Sequence, residues 1–251
     1  MIIDAHMHLP VYCSNFESKK RKLLSDMKTD NVDIGIVISD SELTSEIGSM
    51  DDCVELFASN CSNVFVAAGI SPYINFKEQL SKLRKYLTAG QVIAIKIYCG
   101  HEPIYIDSDD LKPVFDIAAE FCVPLMFHSG WDNAQFAEPD RVKNAALAYP
   151  SVRLVCCHCF YPEIELCFDT LKECPSVFFD ISSIADDPAY INTAKAVLEK
   201  FIPQMPERFI FGSDYSGCER KRHIDLCMGL DLPIKYTEML FCSNARQLYK
   251  I

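Results

Sequence analysis

The stretch MIIDAHMH, residues 1–8, begins as an apolar, β-branched run and ends in two histidines, His6 and His8, separated by one residue. Seven similar runs follow: IGIVISD from residue 34, VFVAAGI from 64, VIAIKIY from 92, VPLMFHS from 123, VRLVCCH from 152, VFFDIS from 177 and RFIFGSD from 208. Successive runs start 25 to 33 residues apart, close to the roughly 30 residues that a strand, a crossover helix and two loops require. We therefore predict that each run is one buried parallel strand.

The segments between the runs have the periodicity of amphipathic helices. Examples are FKEQLSKLRKYL from residue 76, DDLKPVFDIAAEF from 109 and AYINTAKAVLEKF from 189. Ser108 or Asp109 is the expected cap of the second helix, and Pro188 is the expected start of the third. Eight βα units in 251 residues predict an α/β fold, a (β/α)8 TIM barrel formed as a single domain over residues 1–251. A doubly wound open sheet is the alternative, but no Gly-rich phosphate-binding signature follows any run.

The composition limits the classes of partner. The chain has 24 Lys and Arg against 35 Asp and Glu, a formal net charge of -11 at pH 7, so we expect neither nucleic acid nor an anionic membrane as a partner. No apolar run approaches the roughly 20 residues that span a bilayer, and no secretory signal pattern is visible. The 13 cysteines are odd in number and scattered, which favours reduced thiols and a cytoplasmic protein. A homodimer is compatible with all of this.

Polar residues fall near the C-terminal ends of five runs: His6 and His8 in the first, Lys96 in the fourth, His128 in the fifth, His158 in the sixth and Asp214 in the eighth. In a barrel these ends meet at one face, and residues two apart on a strand point the same way. One such histidine alone is most simply a core residue with a local hydrogen bond. Four of them beside an aspartate would be badly strained without a metal. Imidazole and carboxylate ligands suit Zn²⁺, Mn²⁺ or Fe²⁺, with zinc the commonest.

The ordered set DAHMH, IKIY, FHSG, CHCF and GSDY resembles the signature of the amidohydrolase superfamily of metal-dependent barrel enzymes. That signature has HxH on the first strand, Lys or Glu on the fourth, His on the fifth and sixth, and Asp on the eighth. The match covers nearly the whole chain. The closing stretch SNARQLYKI is similar to that of the amidohydrolase-related branch that includes aminocarboxymuconate semialdehyde decarboxylase.

The resemblance implies a role for each motif residue. His6, His8, His128 and Asp214 would hold one divalent metal, which is expected more often than two. Asp214 would act as the general base towards water and later pass the proton to the leaving group. His158 would stabilise the developing oxyanion, or bind a second metal together with a carbamylated Lys96. With a single metal, Lys96 would be a plain cation near a substrate carboxylate.

Other residues are predicted to lie near this mouth. Tyr98, His101 and Trp131 are candidate substrate-binding residues because loops on this face shape the pocket. Asp4 shares the parity of His6 and His8, so it is expected to point inward and support the site, by orienting an imidazole or by pairing with a cation. Lys96 paired with a buried acid, Asp4 or Asp180, is the structural alternative to its binding role. His223 is interpreted as a surface helix residue, with Arg220 or Arg222 beside it as an alternative anion contact.

Three functions compete. The first is metal-dependent hydrolysis of a small carboxylate-containing ester, lactone or amide. The second is metal-dependent non-oxidative decarboxylation, towards which the closing stretch and the single-metal pattern point. The third, from another class, is a barrel that binds a ligand or metal without catalysis. A zinc knot around Cys157, His158 and Cys159 is a minor alternative, because it would need further ligands at finger-like spacing.

Overall fold

Eight parallel strands form one sheet in the order of the sequence. The computed structural model describes residues 1–42, 45–58, 61–131 and 133–251. Each strand pairs with the next in parallel register, for example Gly35 with Val64 and Leu125 with Leu154. The strands are β1 Ile3–Met7, β2 Ile34–Ile38, β3 Val64–Gly69, β4 Ala94–Ile97, β5 Leu125–His128, β6 Leu154–Cys157, β7 Val177–Asp180 and β8 Phe209–Ile210.

Backbone hydrogen bonds join the first and last strands. The Ala5 amide donates to the Phe211 carbonyl at 2.9 Å, and the Asp214 amide donates to the His6 carbonyl at 2.8 Å. These bonds bring the two ends of the sheet together, so the predicted TIM barrel is confirmed. They also place His6 and Asp214, 208 residues apart in the sequence, side by side.

Helices alternate with the strands as predicted. They are α1 Phe16–Thr29, α2 Met50–Phe57, α3 Phe76–Thr88, α4 Lys112–Phe121, α5 Pro139–Ala148, α6 Ile164–Leu171, α7 Ile191–Phe201, α8 Arg220–Met228, α9 Ile234–Glu238 and α10 Asn244–Tyr249. A π-helical turn, Met239–Ser243, joins α9 to α10. Ser108 caps the short 3-10 turn before α4 by accepting from the Asp110 amide. The expected start of α7 at Pro188 is wrong: the helix begins at Ile191, after a turn in which the Tyr190 amide donates to Asp187.

The apolar core has two parts. The larger lies between the strands and the surrounding helices and includes Val37, Ile95 and Phe127. The smaller fills the barrel and includes Ile36, Ala94 and Met126, with Leu248 and Tyr249 of α10 packed against it. Side chains on neighbouring positions of one strand therefore face different cores, as the two-residue period of a strand requires. The interior is filled, and the polar residues collect at one end of it.

β1 departs from this regular alternation, because its pairing with β2 shifts register between Asp4 and Met7. Ile3 and Ala5 belong to the inner core, whereas Met7 belongs to the outer one. Asp4 is fully buried and its carboxylate is 2.8 Å from the guanidinium of Arg220 on α8. The inward direction expected for Asp4 is therefore wrong. The strand irregularity separates Asp4 from the side of the barrel that His6 faces, and a cation of the helix layer holds it.

Candidate metal centre and active-site cavity

Three predicted ligands converge where β1 and β8 meet. The Nε2 atoms of His6 and His8 each lie 3.3 Å from Oδ1 of Asp214. The ligand atoms of the three residues all lie within 4.8 Å of one another. Asp214 is placed there by the backbone bond from its amide to the His6 carbonyl. We call this set, His6, His8 and Asp214, the β1–β8 corner.

The spacing in this corner fits a metal ion. Nitrogen and oxygen ligands about 2.1 Å from one tetrahedral zinc ion lie roughly 3.4 Å apart, close to the two 3.3 Å separations observed. The Nδ1 of His8 is 3.0 Å from the carbonyl oxygen of Ile38, which can only accept, so this nitrogen carries the hydrogen. In a neutral imidazole the Nε2 of His8 therefore has a lone pair aimed at a carboxylate oxygen. A cation at the corner would bind both that lone pair and the carboxylate oxygen.

Each corner residue is held by its other polar atom. The Nδ1 of His6 is 2.6 Å from Oδ2 of Asp180, an arrangement common behind metal-binding histidines. The Ser183 hydroxyl donates to Oδ2 of Asp214 at 2.7 Å, which leaves Oδ1 for the histidines. Burial alone would raise the pKa of Asp214, but His6 and His8 outweigh it and hold the pKa well below the usual value. The carboxylate is therefore ionised.

Asp180 contacts the corner in a way that the sequence did not reveal. It was considered only as a partner for Lys96, although it is the polar end of the seventh run, VFFDIS. It is fully buried, and burial would raise its pKa, but the nearby His6 more than offsets this and lowers it. A side chain at Gly212 would collide with both Asp180 and His6. Glycine at that position therefore permits their contact.

Lys96 also lies at the mouth of the barrel, but its contacts differ from those of the corner residues. Its side chain is 1% exposed, and its ammonium nitrogen is 5.4 Å from the ring centroid of Tyr98. The acids considered as its partners are engaged elsewhere, Asp4 with Arg220 and Asp180 with His6. Within the described part of the chain, Lys96 forms no ion pair. The structural alternative of a paired Lys96 is therefore wrong for these two acids.

The two remaining motif histidines are packed ring against ring. The centroids of His128 and His158 are 4.9 Å apart, and those of His6 and His158 are also 4.9 Å apart. The Nδ1 of His158 is 2.9 Å from the Ser182 hydroxyl. Burial lowers the pKa of His158 to about 3 and that of His128 well below its usual value, so both are neutral. Among the described residues, His128 belongs to no group whose ligand atoms lie within 4.8 Å of one another, so its role as a fourth ligand stays a prediction.

A cavity of about 490 Å³ opens over these residues. It is lined by the corner, by Lys96, His128 and His158, and by Tyr98 and His101 of the loop after β4. Trp131 borders an adjoining cavity of about 260 Å³ that shares His101 and His128. Its indole stacks on His128 with centroids 5.8 Å apart. All three predicted pocket residues therefore lie at the mouth.

The loops at this mouth contain strained backbone. Six non-glycine residues after β5, β6, β7 and β8 have left-handed φ values between 51° and 64°: Trp131, His158, Cys159, Phe160, Ser183 and Asp214. Such conformations are costly for residues with a Cβ atom and cluster at functional sites. Here they direct His158 and Asp214 into the cavity and Trp131 over His128.

The expectation for His223 is wrong. It is 1% exposed, and its Nδ1 lies 3.1 Å from the Glu219 carbonyl. Arg220 pairs with Asp4 and Asp30, and Arg222 pairs with Glu219. These three residues are thus occupied in holding α8, and the alternative of an anion contact beside His223 has no support in this geometry.

The cysteines are free thiols. Cys156 and Cys159 have CxxC spacing and both are buried, but no candidate metal group of the described residues contains them. A second group, His6, Cys157 and Asp180, has its ligand atoms within 4.8 Å of one another. The hydrogen bond between His6 and Asp180 accounts for that proximity. A zinc knot at Cys157, His158 and Cys159 is therefore not supported.

This geometry defines a barrel with a candidate metal centre at the C-terminal ends of its strands, and sequence comparison identifies the class. The family model described as Amidohydrolase matches residues 3–251. The chain belongs to this amidohydrolase family. No curated protein sequence matches it significantly. Among the helices of the described residues, none is long and apolar enough to cross a membrane.

Solved structures share the fold at low sequence identity. An uncharacterised TIM-barrel protein from Bordetella bronchiseptica is 15% identical, with TM-score 0.78 over 98% of this chain and 97% of its own. A putative 2-pyrone-4,6-dicarboxylic acid hydrolase from Pseudomonas putida is 14% identical, with TM-score 0.76 over 99% and 97%. 5-Carboxyvanillate decarboxylase from Sphingomonas paucimobilis is 12% identical, with TM-score 0.71 over 100% and 99%. The neighbours thus include both hydrolases and decarboxylases.

Proposed function

We propose that this protein is a metal-dependent hydrolase of small carboxylate-containing esters, lactones or amides. The observation that carries the proposal is the convergence of two histidine Nε2 atoms on one oxygen of Asp214, with each residue held from behind. Family membership supports it, because amidohydrolases are typically metal-dependent. His6, His8 and Asp214 would hold one ion, with His128 as a fourth ligand. Zinc is our first expectation, ahead of manganese and iron.

When bound, a divalent ion supplies Lewis-acid polarisation of a carbonyl and makes water a stronger acid. Asp214 would take the proton of the attacking water, because its carboxylate lies at the corner where that water would be held and also lines the cavity. The same carboxyl group would then donate that proton to the leaving oxygen or nitrogen. His158, neutral and buried beside His6, would stabilise the charge that develops on the substrate oxygen.

Lys96 would bind a carboxylate of the substrate. Lys96 is buried, and among the described residues it forms no ion pair, since Asp4 and Asp180 pair with Arg220 and His6. A buried charge without a partner is costly, so an anionic ligand at this position would be stabilising. Carbamylation of Lys96 is the alternative that a second metal would require, and a crystal structure at near-neutral pH would show either a carbamate or a bare amine.

Metal analysis of the purified protein, followed by a panel of lactones, esters and amides, tests the proposal. We expect about one equivalent of metal and turnover of at least one carboxylate-bearing member. A metal-loaded protein that hydrolyses no member would contradict it. Release of CO2 from unsaturated or aromatic carboxylic acids would instead support decarboxylation, the second candidate, which the resemblance in fold to 5-carboxyvanillate decarboxylase favours. A metal-free protein inactive in both assays would indicate a binding barrel.

A further inference from the structure

The active-site cavity is lined by side chains of opposite charge. Lys96, on β4, lines it together with His128 and His158. The same lining contains three acids, Asp40 and Glu42 from the loop after β2 and Glu102 from the loop after β4. We call these three residues the acidic wall. Among the described residues, the cavity lining contains four carboxylates, including that of Asp214, with Lys96 as its one lysine and no arginine.

Hydrogen bonds hold the acidic wall in place. The hydroxyl of Ser41 donates to Oε1 of Glu102 at 2.6 Å, and that of Ser71 donates to Oε2 at 2.7 Å. The Ser45 hydroxyl donates to Oδ2 of Asp40 at 2.5 Å. These neutral donors fix the carboxylates without neutralising them, and each carboxylate oxygen has a second lone pair that can accept.

No cation of the chain balances this wall in the described structure. The ion pairs among residues 1–42, 45–58, 61–131 and 133–251 include none with Asp40, Glu42 or Glu102. The five residues outside those ranges, at positions 43, 44, 59, 60 and 132, are Leu, Thr, Ser, Asn and Asp, none of which is cationic. The acidic wall therefore presents, to whatever enters the cavity, carboxylates that no described cation pairs with directly.

Lys96 provides an independent indication of a ligand. It is 1% exposed and borders the cavity, and the acids Asp4 and Asp180 are both engaged by other partners. A ligand that satisfies both kinds of charge needs an anion at Lys96 and a cation or donor at the acidic wall. A second carboxylate placed at the wall would be repelled, because like charges brought together in a partly desolvated site are destabilising.

We propose that the substrate carries one carboxylate, bound towards Lys96, and a protonated amine at its other end, bound by the acidic wall. This inference rests on the proposed function in that it takes the cavity as the substrate site. It separates the protein from hydrolases of dicarboxylates, since the cavity has one cationic side chain to offer them. Dicarboxylates and amine-bearing carboxylates would use the same metal centre. The acidic wall would favour the amine over a second carboxylate.

Binding of four matched probes to the metal-loaded protein tests the proposal without any need for turnover. The probes are benzoate, 3-(hydroxymethyl)benzoate, 3-(aminomethyl)benzoate and isophthalate, with affinities measured by isothermal titration calorimetry. We expect 3-(aminomethyl)benzoate to bind about tenfold more tightly than benzoate, as one additional charge-assisted contact provides, and isophthalate to bind most weakly. Equal or tighter binding of isophthalate, or no binding of any probe at millimolar concentration, would overturn the inference.

Two substitutions assign the preference to the acidic wall. Glu102→Gln and Asp40→Asn should each reduce the advantage of 3-(aminomethyl)benzoate over benzoate several-fold. Glu120→Gln, on an exposed face of α4 where it pairs with Arg84, makes the same charge change elsewhere and should leave the order intact. If loss of the serine contacts prevents folding, Glu42→Gln replaces them, because Glu42 is exposed. An advantage that persists in both wall variants as in Glu120→Gln would overturn the assignment.

The outcomes distinguish this inference from the proposed function. If the expected order of binding appears but no ester, lactone or amide is turned over, then hydrolysis fails and the substrate class stands. If hydrolysis occurs but isophthalate is the tightest probe, then the substrate class fails and hydrolysis stands.

Discussion

The β1–β8 corner and the β4–β5 side of the same cavity are built differently. At the corner, His6, His8 and Asp214 each have a second polar atom fixed by Asp180, the Ile38 carbonyl or Ser183. On the β4–β5 side, Lys96 has no ion pair, and the contacts of His128 are with neighbouring rings, among the described residues. A metal needs rigid donors at one geometry. This contrast agrees with the proposed function, in which the corner would provide fixed ligands for an ion and Lys96 would receive an exchangeable substrate anion.

Removing a corner ligand should have the largest effect. We expect His6→Ala or Asp214→Asn to lose most of the bound metal and to lower kcat/KM by roughly 10³-fold, because a Lewis acid contributes several kcal/mol to the transition state. Metal analysis and kinetics on the same preparations measure this. Asp225→Asn, on the exposed face of α8, is the matched control. Metal and turnover retained in His6→Ala would refute the site.

Removing the charge that holds His6 in the corner should have the next largest effect. Asp180→Asn removes the negative charge that orients His6, so we expect metal affinity to fall by about 10–100-fold while the barrel stays folded. Competition with a chelator measures the affinity, and Asp169→Asn, an exposed acid paired with Lys172, provides the comparison. Unchanged affinity in Asp180→Asn would mean that His6 needs no such support.

Substitution on the opposite side should affect substrate and spare the metal. We expect Lys96→Met to raise KM roughly tenfold, the value of one charged hydrogen bond, with metal content unchanged. Lys112→Met, an exposed change on α4, should alter neither quantity. If Lys96→Met lost metal instead, Lys96 would belong to the metal centre, as the carbamylated alternative requires.

The smallest effect should come from the Ser183 hydroxyl, which holds Oδ2 of Asp214. We expect Ser183→Ala to lower kcat by about 2–10-fold. Ser183→Gly should lower kcat similarly, yet it should be more stable than Ser183→Ala, because the φ of 61° suits glycine. Thermal denaturation and kinetics of the pair separate the hydroxyl from the backbone. Full activity in both variants would show that Asp214 is positioned without Ser183.

The sequence was sufficient to predict the barrel because the strand pattern repeats eight times, and a long regular pattern tolerates a local error. It was also sufficient to predict that His6, His8 and Asp214 lie close together, since the C-terminal ends of barrel strands meet at one face. Asp4 was misjudged because strand parity holds only where pairing is regular, and β1 shifts register just there. His223 was misjudged because its charged neighbours on α8 indicated a surface, while Asp4 and Asp30 draw that helix end inward. Neither effect is local in the sequence.

The left-handed residues at the mouth have a consequence for engineering. Six of them, at on the order of 1 kcal/mol each, together approach the net stability of an ordinary domain. Attempts to raise the melting temperature would thus find a gain at this rim at Ser183, where glycine relieves the conformation and removes only a small side chain. That gain would come at the residue that holds Asp214. Heat tolerance and catalytic competence are therefore opposed at one end of the barrel, and stabilising changes are better sought at the other end.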